Sequence, residues 1–512
     1  MTGKRQKNVN FIKFLIVMLA ASMTIAVWRG YGAVKLVVLF AGMLAAACLA
    51  VFVMQSRHVK ELISEGKQNV GVFAGVLGRI APGQSIRRRN GRIASGRLGQ
   101  RQRHIARVIL FFLMIASCLF WGTKSRSYAV GSAAEQRWLI CALLFWLTGL
   151  CYEDSAEKCC RPGILYYAAV SFLLLGCFAD FLDGRKFRYA AFCMLMFGGL
   201  FCRVWRNMRR PDDLLEEFAT AYRLSFLAVL VFCAGCRPAY PGICYTGAQA
   251  DVVSFGSYLL IAEAVFLSGM TKERTGVPNG IGAACSVYLV WTTQQATFVL
   301  IACAVLILYG VFWIRMWLKA QKHVRLTMLL NVLFAAAAGI ACVLALRFVL
   351  YEAAPLPGCE ITFGADERNQ INGTMREYFT QGGWKTVWND RVPVLREYIA
   401  KFNFRGHKYL AKLDGEQVWP CISAVMVTYR YGILAGASYL VMIVSCLYDA
   451  ARRLLSGRSF LAAGILFAAI LTGLCESVEL PFVQISWLAF YIGLCRLIAA
   501  GKEENEISQY KN

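Results

Sequence analysis

Apolar residues in this chain come in runs, and the runs are too long for a soluble core. Fourteen stretches of roughly 16–25 residues can be marked along the sequence, close to the about 20 that an α-helix needs to cross some 30 Å of hydrocarbon. They fall near 9–28, 32–54, 106–122, 137–152, 163–182, 188–204, 222–237, 250–270, 280–294, 296–316, 326–350, 425–448, 459–475 and 480–499. Within a bilayer every backbone polar group needs an internal partner, so a continuous apolar run folds as a helix. The expected fold class is therefore an all-α polytopic membrane protein with about 14 transmembrane helices. Composition agrees: of 512 residues, 58% are hydrophobic and 17% charged, against about 25% charged in ordinary soluble domains. Disordered, collagen-like and small disulfide-scaffold classes are excluded by the same figures.

Charge sets the expected orientation. The net charge is +25, from 55 basic and 30 acidic residues. Basic loops mark the cytoplasmic side of a membrane protein. Residues 55–107 carry twelve Lys and Arg against Glu61 and Glu65, with Arg87, Arg88 and Arg89 in a row. The stretches 203–210 and 319–325, and Arg452, Arg453 and Arg458, are also basic. With alternating spans these four regions share one side, so both termini are expected in the cytoplasm. Lys124, Arg126, Arg185, Lys186 and Arg188 fall on the other side and go against the trend. The order is then two helices over 1–54, a basic cytoplasmic loop over 55–107, helices 3–11 over 108–350, an outer loop over 351–424, helices 12–14 over 425–500 and a tail over 501–512. The first span follows Lys4, Arg5 and Lys7 with no clear small-residue cleavage site, as in a retained anchor. From Arg79 to Arg107 no aromatic residue interleaves with the arginines, so no nucleic-acid partner is expected.

Twenty cysteines lie mostly inside apolar runs, where they act as small hydrophobes. No paired CxxC pattern occurs, and neither a metal site nor another cofactor is expected.

The loop over 351–424 differs from the cytoplasmic ones. Its nine basic and nine acidic residues cancel, and it holds Trp384, Trp388 and Trp419. Over 386–403, Val387, Val394, Leu395, Tyr398 and Phe402 share a face at helical spacing, which predicts one or two short helices lying over the membrane. Of four histidines only His407 falls here, in Phe404-Arg405-Gly406-His407-Lys408, with Arg391, Arg396, Lys401 and Arg405 nearby. Forked guanidinium groups suit a phosphate or diphosphate, and a histidine can take a proton from an attacking hydroxyl. The alternative is a solvated face paired with Glu377, Asp390 and Glu397. Arg430 stands at the outer entry to a span, where it either snorkels or binds something. Glu263 lies inside a span, where a carboxyl serves structural pairing or a substrate path. Cys359 and Cys421 flank the loop and are either a disulfide or two free thiols. Asn372-Gly373-Thr374 is a glycosylation sequon.

These segments carry a resemblance. Asn389-Asp390-Arg391, Asn403-Phe404-Arg405-Gly406-His407, Trp419-Pro420-Cys421-Ile422 and Tyr429-Arg430-Tyr431-Gly432-Ile433-Leu434-Ala435-Gly436 resemble the O-antigen ligase and polymerase family of bacterial polysaccharide enzymes. The likeness is specific over 385–440 and loose over 250–500. It implies an inverting, metal-independent glycosyltransferase in the bacterial cytoplasmic membrane. Its partner would be an undecaprenyl-diphosphate-linked oligosaccharide, polymerised or ligated on the outer face in surface polysaccharide assembly. Arg391 matches the family's loop arginine, thought to bind the diphosphate. Catalytic roles are expected at Arg391 and His407, and substrate contacts at Arg396, Arg405, Arg430 and Glu263. Two places depart from the pattern. Cys421-Ile422 follows Pro420 where the family often has His-Asn, and Gln294-Gln295 follows Thr293 where it often has Ser-Arg. The alternatives are a lipid-linked oligosaccharide flippase and a non-catalytic, degenerate member of the family.

Overall fold

A computed structural model describes residues 104–116, 119, 144, 164–182, 211–236, 239, 244–249, 252–270, 276–351, 383–407, 409–413, 415–418, 420, 422–456, 459–475 and 488–497. The expected spans over 9–28, 32–54 and 188–204 lie outside these residues, as do Cys359, Cys421 and the Asn372 sequon. Of the span over 137–152 only residue 144 is described, and of the basic loop only 104–107. The chain divides into two units, Met1–Leu110 and Phe111–Asn512, and the bundle belongs to the second.

Helices dominate the described residues. They are α1 (Ile164–Leu182), α2 (Pro211–Cys236), α3 (Val252–Gly269), α4 (Gly276–Thr292), α5 (Ala296–Lys319), α6 (Lys322–Tyr351), α7 (Gly383–Ala400), α8 (Ser423–Tyr431), α9 (Ile433–Ser456) and α10 (Phe460–Cys475). Among the described residues, five stretches are long and apolar enough to cross a membrane: Leu214–Ala234, Val252–Gly269, Ala296–Lys319, Val324–Tyr351 and Ile433–Leu455. Shorter apolar helices include Phe460–Cys475 and Leu488–Leu497.

The centre of this bundle is α3, which packs against α2, α4, α5 and α10. Its residues from Phe255 to Leu267 are all buried. Tyr222 of α2 stacks on Tyr258 of α3 at 5.0 Å, and its hydroxyl donates to the Tyr258 carbonyl at 2.9 Å. Between α4 and α6 the contact is made by small residues: a Cβ on Gly280 would overlap Ala335, and one on Gly339 would come within 2.8 Å of the Ala284 Cβ. Close backbone approach of this kind suits helices in lipid, where hydrophobic burial does not drive association. The outward face of α5 and α6 stays apolar and exposed, with Ile307, Ile314, Leu333, Phe334 and Phe348 all more than half accessible.

Short connections make consecutive helices antiparallel and collect their ends. The connections 293–295, 320–321 and 457–459 are two or three residues long. At one end, Tyr245 N donates to the Thr292 carbonyl at 3.1 Å and Ala239 N to the Leu350 carbonyl at 2.8 Å. At the other end, Arg315 donates to the Leu455 carbonyl. Arg325 reaches the Leu318 carbonyl at 2.7 Å and lies 5.0 Å over the Trp317 ring. Cations on C-terminal carbonyls complement the helix dipoles.

Two elements depart from the sequence reading. The apolar run over 425–448 is not one helix: it breaks at Gly432, and the long helix begins at Ile433. A small antiparallel hairpin, β1 (Lys412–Leu413) with β2 (Glu416–Gln417), sits in the loop region. Its two-residue connection ends in Gly415, whose φ of 88° is open to glycine and costly for other residues.

Candidate functional site at the loop end of the bundle

The site begins with a turn after α7. Asn403 holds it with three contacts. Its Oδ1 accepts from Gly406 N at 2.5 Å, its carbonyl accepts from Ile433 N at 3.0 Å, and its Nδ2 lies 3.0 Å from His407 Nε2. The turn is thereby fastened to the start of α9. Two glycines allow the approach. Gly406 and Gly432 have φ of 81° and 89°. A Cβ on Gly406 would overlap the Arg430 carbonyl, and one on Gly432 would overlap the Phe404 carbonyl.

His407 is placed from both sides. Its ring stacks on Tyr429 of α8, with centroids 4.2 Å apart and planes 17° apart. Its Nε2 also meets the Lys401 carbonyl. A carbonyl only accepts, so that contact needs a proton on Nε2 and leaves the lone pair on Nδ1. With the Asn403 amide oriented by Gly406, its Nδ2–H favours the opposite tautomer, in which Nε2 accepts. The two contacts on Nε2 thus call for opposite tautomers of the ring.

Beneath the histidine is a small aromatic core of Tyr398, Ala411, Met426 and Tyr429, with Val394, Phe402 and Leu410 against it. Tyr398 and Tyr429 meet edge to face at 4.5 Å. The Tyr398 hydroxyl donates to the Val418 carbonyl at 2.6 Å and accepts from Ala411 N at 3.3 Å. Burial pushes the Tyr398 phenol up to about 12. Tyr429 donates to the Tyr409 carbonyl at 3.1 Å. α7, the hairpin region and α8 are therefore joined through two phenols.

The cations divide. Arg430 stands in the last turn of α8, and its Nε is buried with no hydrogen-bond partner among the described residues. Arg391 reaches from α7 to the C-terminus of α10, donating to the Cys475 carbonyl at 2.7 Å. Arg396 and Arg405 are exposed. Lys401 pairs with Glu397, whose hydrogen bond pushes the Lys401 ammonium up. Arg391, His407 and Arg430 thus belong to the segments that meet the ends of α9 and α10. Glu263 does not: it is fully buried in α3, and eleven residues at 1.5 Å each put it roughly 16 Å along the helix from Val252.

Asn403, Tyr398 and Tyr429 carry the local geometry; the sequence placed Tyr398 on a shared apolar face and gave Asn403 and Tyr429 no role of their own. The signal present was the spacing of Asn403 and His407 around Gly406. The carboxamide beside the histidine comes from Asn403, four residues upstream.

No protein-family model and no curated protein matches this chain.

Proposed function

We propose that the protein is an inverting glycosyltransferase of the polysaccharide polymerase or ligase type, acting on an undecaprenyl-diphosphate-linked glycan at the outer face of the bacterial cytoplasmic membrane. On this reading the chain has fourteen spans, both termini are cytoplasmic, and 351–424 is an outer loop. The distribution of charge supports that orientation, because Arg315, Lys319, Arg325, Arg452 and Arg453 stand at the bundle end opposite the loop.

The carrying observation is the anchored His407. A ring held by Tyr429 and Asn403 at the membrane end of α9 is in the right setting to serve a lipid-borne donor. In the proposed step an acceptor hydroxyl oxygen attacks the anomeric carbon as the bond from that carbon to the phosphate oxygen breaks. The hydroxyl proton passes to His407 Nδ1, and the electron pair leaves with the lipid diphosphate. Arg391 and Arg430 supply positive charge for the departing diphosphate, the kind of preorganised stabilisation that contributes most to such barriers. The step needs no metal.

The test is the cell-surface polysaccharide profile of a His407→Ala strain with membrane abundance matched to wild type. Loss of long chains is expected, and an unchanged profile removes His407 from the chemistry.

A further inference from the structure

Glu263 is the anomaly of the bundle interior. Its side chain is fully buried, and both carboxyl oxygens lack a hydrogen-bond partner among the described residues. It stands in the helix that packs against four others. An ionised carboxylate withdrawn from water is sustained by a cation or by several donors, and otherwise it takes up a proton.

Among the described residues, the surrounding elements bring no cation to it. No Asp, Glu, Lys, Arg or His occurs in α4 or α10, and α5 has none before Arg315. Their titratable groups are Cys285 and Tyr288 on α4, Cys303 and Tyr309 on α5, and Cys475 at the end of α10. On α2, Tyr222 is engaged with the Tyr258 carbonyl, and Arg223 donates to the Val265 carbonyl at 3.3 Å. Asp212, Asp213, Glu216, Glu217, Cys233 and Cys236 complete the titratable groups of α2. Arg315 is engaged with the Leu455 carbonyl at the far end. Arg496 is buried on the helix Leu488–Leu497, which meets α10 through Gly493 and Leu466, and it forms no ion pair with Glu263.

The register places Glu263 in the interior. Gly256 lies against Phe298 of α5 and Ala264 against Gly464 of α10. Counting along the parallel α3 and α5 sets Glu263 level with Val305, one turn before Tyr309. The Tyr309 hydroxyl is likewise buried without a hydrogen-bond partner among the described residues.

We infer that Glu263 is an intramembrane proton-binding site, occupied in the resting protein so that the bundle carries an uncharged acid at its centre. The inference is independent of the glycosyl-transfer proposal. The bound species is a single proton on one carboxyl oxygen: carboxylate plus proton gives acid, with no other reactant. A neutral side chain of the same length therefore fits the position and a cation does not.

The measurement is an infrared difference spectrum between wild type and Glu263→Gln, each purified into lipid nanodiscs at neutral pH. The carbonyl stretch of one protonated carboxylic acid per chain is expected in wild type and absent from the variant. If the missing bands are instead carboxylate stretches, Glu263 is ionised and the inference is wrong. Should Glu263→Gln fail to fold, Glu263→Met supplies the same comparison with an apolar chain of equal length.

Discussion

Asn403 Nδ2 lies 3.0 Å from His407 Nε2, and the same Asn403 binds the turn to the first residue of α9 through its own carbonyl. One residue thus sets both the position of the histidine and the seating of the loop on the membrane helix. In Asn403→Ala the bonds from the side chain to Gly406 and His407 are lost, at about 1–3 kcal/mol for the group left unpaired. Polymer chain length should fall to the extent expected for His407→Ala, and the double variant should be no worse than either alone. Additive losses in the polysaccharide profiles would show that the two residues act separately.

The crossing of the turn with the α8–α9 junction needs glycine. Gly432→Ala adds a Cβ into the Phe404 carbonyl at a φ of 89°, and strain of that kind costs of order 1–3 kcal/mol before the overlap is counted. Thermal unfolding in detergent should move to lower temperature. Gly415→Ala serves as the comparison, because its φ is 88° but nothing stands within 4 Å of its Cβ. It should be the milder change, and equal shifts would mean that the overlap at Gly432 contributes little.

Tyr398 makes a pH prediction. Its phenol is pushed from the ordinary value of 10.0 to about 12 by burial. Below pH 10 it is neutral in folded and unfolded chains, and the stability from its two hydrogen bonds is fully present. Between about 10 and 12 the unfolded chain loses the proton first, so stability falls as pH rises through that window. Melting of wild type against Tyr398→Phe should show the steeper alkaline loss in wild type. Parallel curves would remove Tyr398 from that loss. At neutral pH the variant should be destabilised by about 1–3 kcal/mol, because the Val418 carbonyl and the Ala411 amide lose their partner.

Arg391 ties α7 to α10 by its bond to the Cys475 carbonyl. Arg391→Lys keeps the charge but loses the planar fork. If the fork matters for the diphosphate, the lysine variant should reach normal membrane abundance and give little long polymer, while Arg391→Ala gives none. Wild-type polymer from the lysine variant would reduce the role of Arg391 to a point charge.

Much of the bundle was legible because apolar runs with short breaks leave few alternatives. The spans over 250–270, 296–316 and 459–475 lie within three residues of α3, α5 and α10 at each end. The shared face of Val394, Tyr398 and Phe402 also appears, packed together in the small aromatic core. The break at Gly432 was hidden, because a glycine in an apolar run is common and only the Phe404 carbonyl against it shows why the helix stops there. The hairpin had its Asp414-Gly415 signal, but its strands are two residues long and too short to alternate. Asn403 was missed because its importance lies in a contact with Ile433, thirty residues on. The proximity of Arg430 to the turn is likewise a long-range event that no local spacing records.

The central claim is glycosyl transfer from a lipid diphosphate, and reconstitution tests it most directly. The purified protein is placed in liposomes with the lipid-diphosphate-linked oligosaccharide of its own cell and no added divalent metal, and both glycan length and released lipid diphosphate are followed. The account predicts longer or transferred glycan with matching release of lipid diphosphate, both lost in His407→Ala. Neither product forming, from a donor that a known active enzyme consumes, would contradict it.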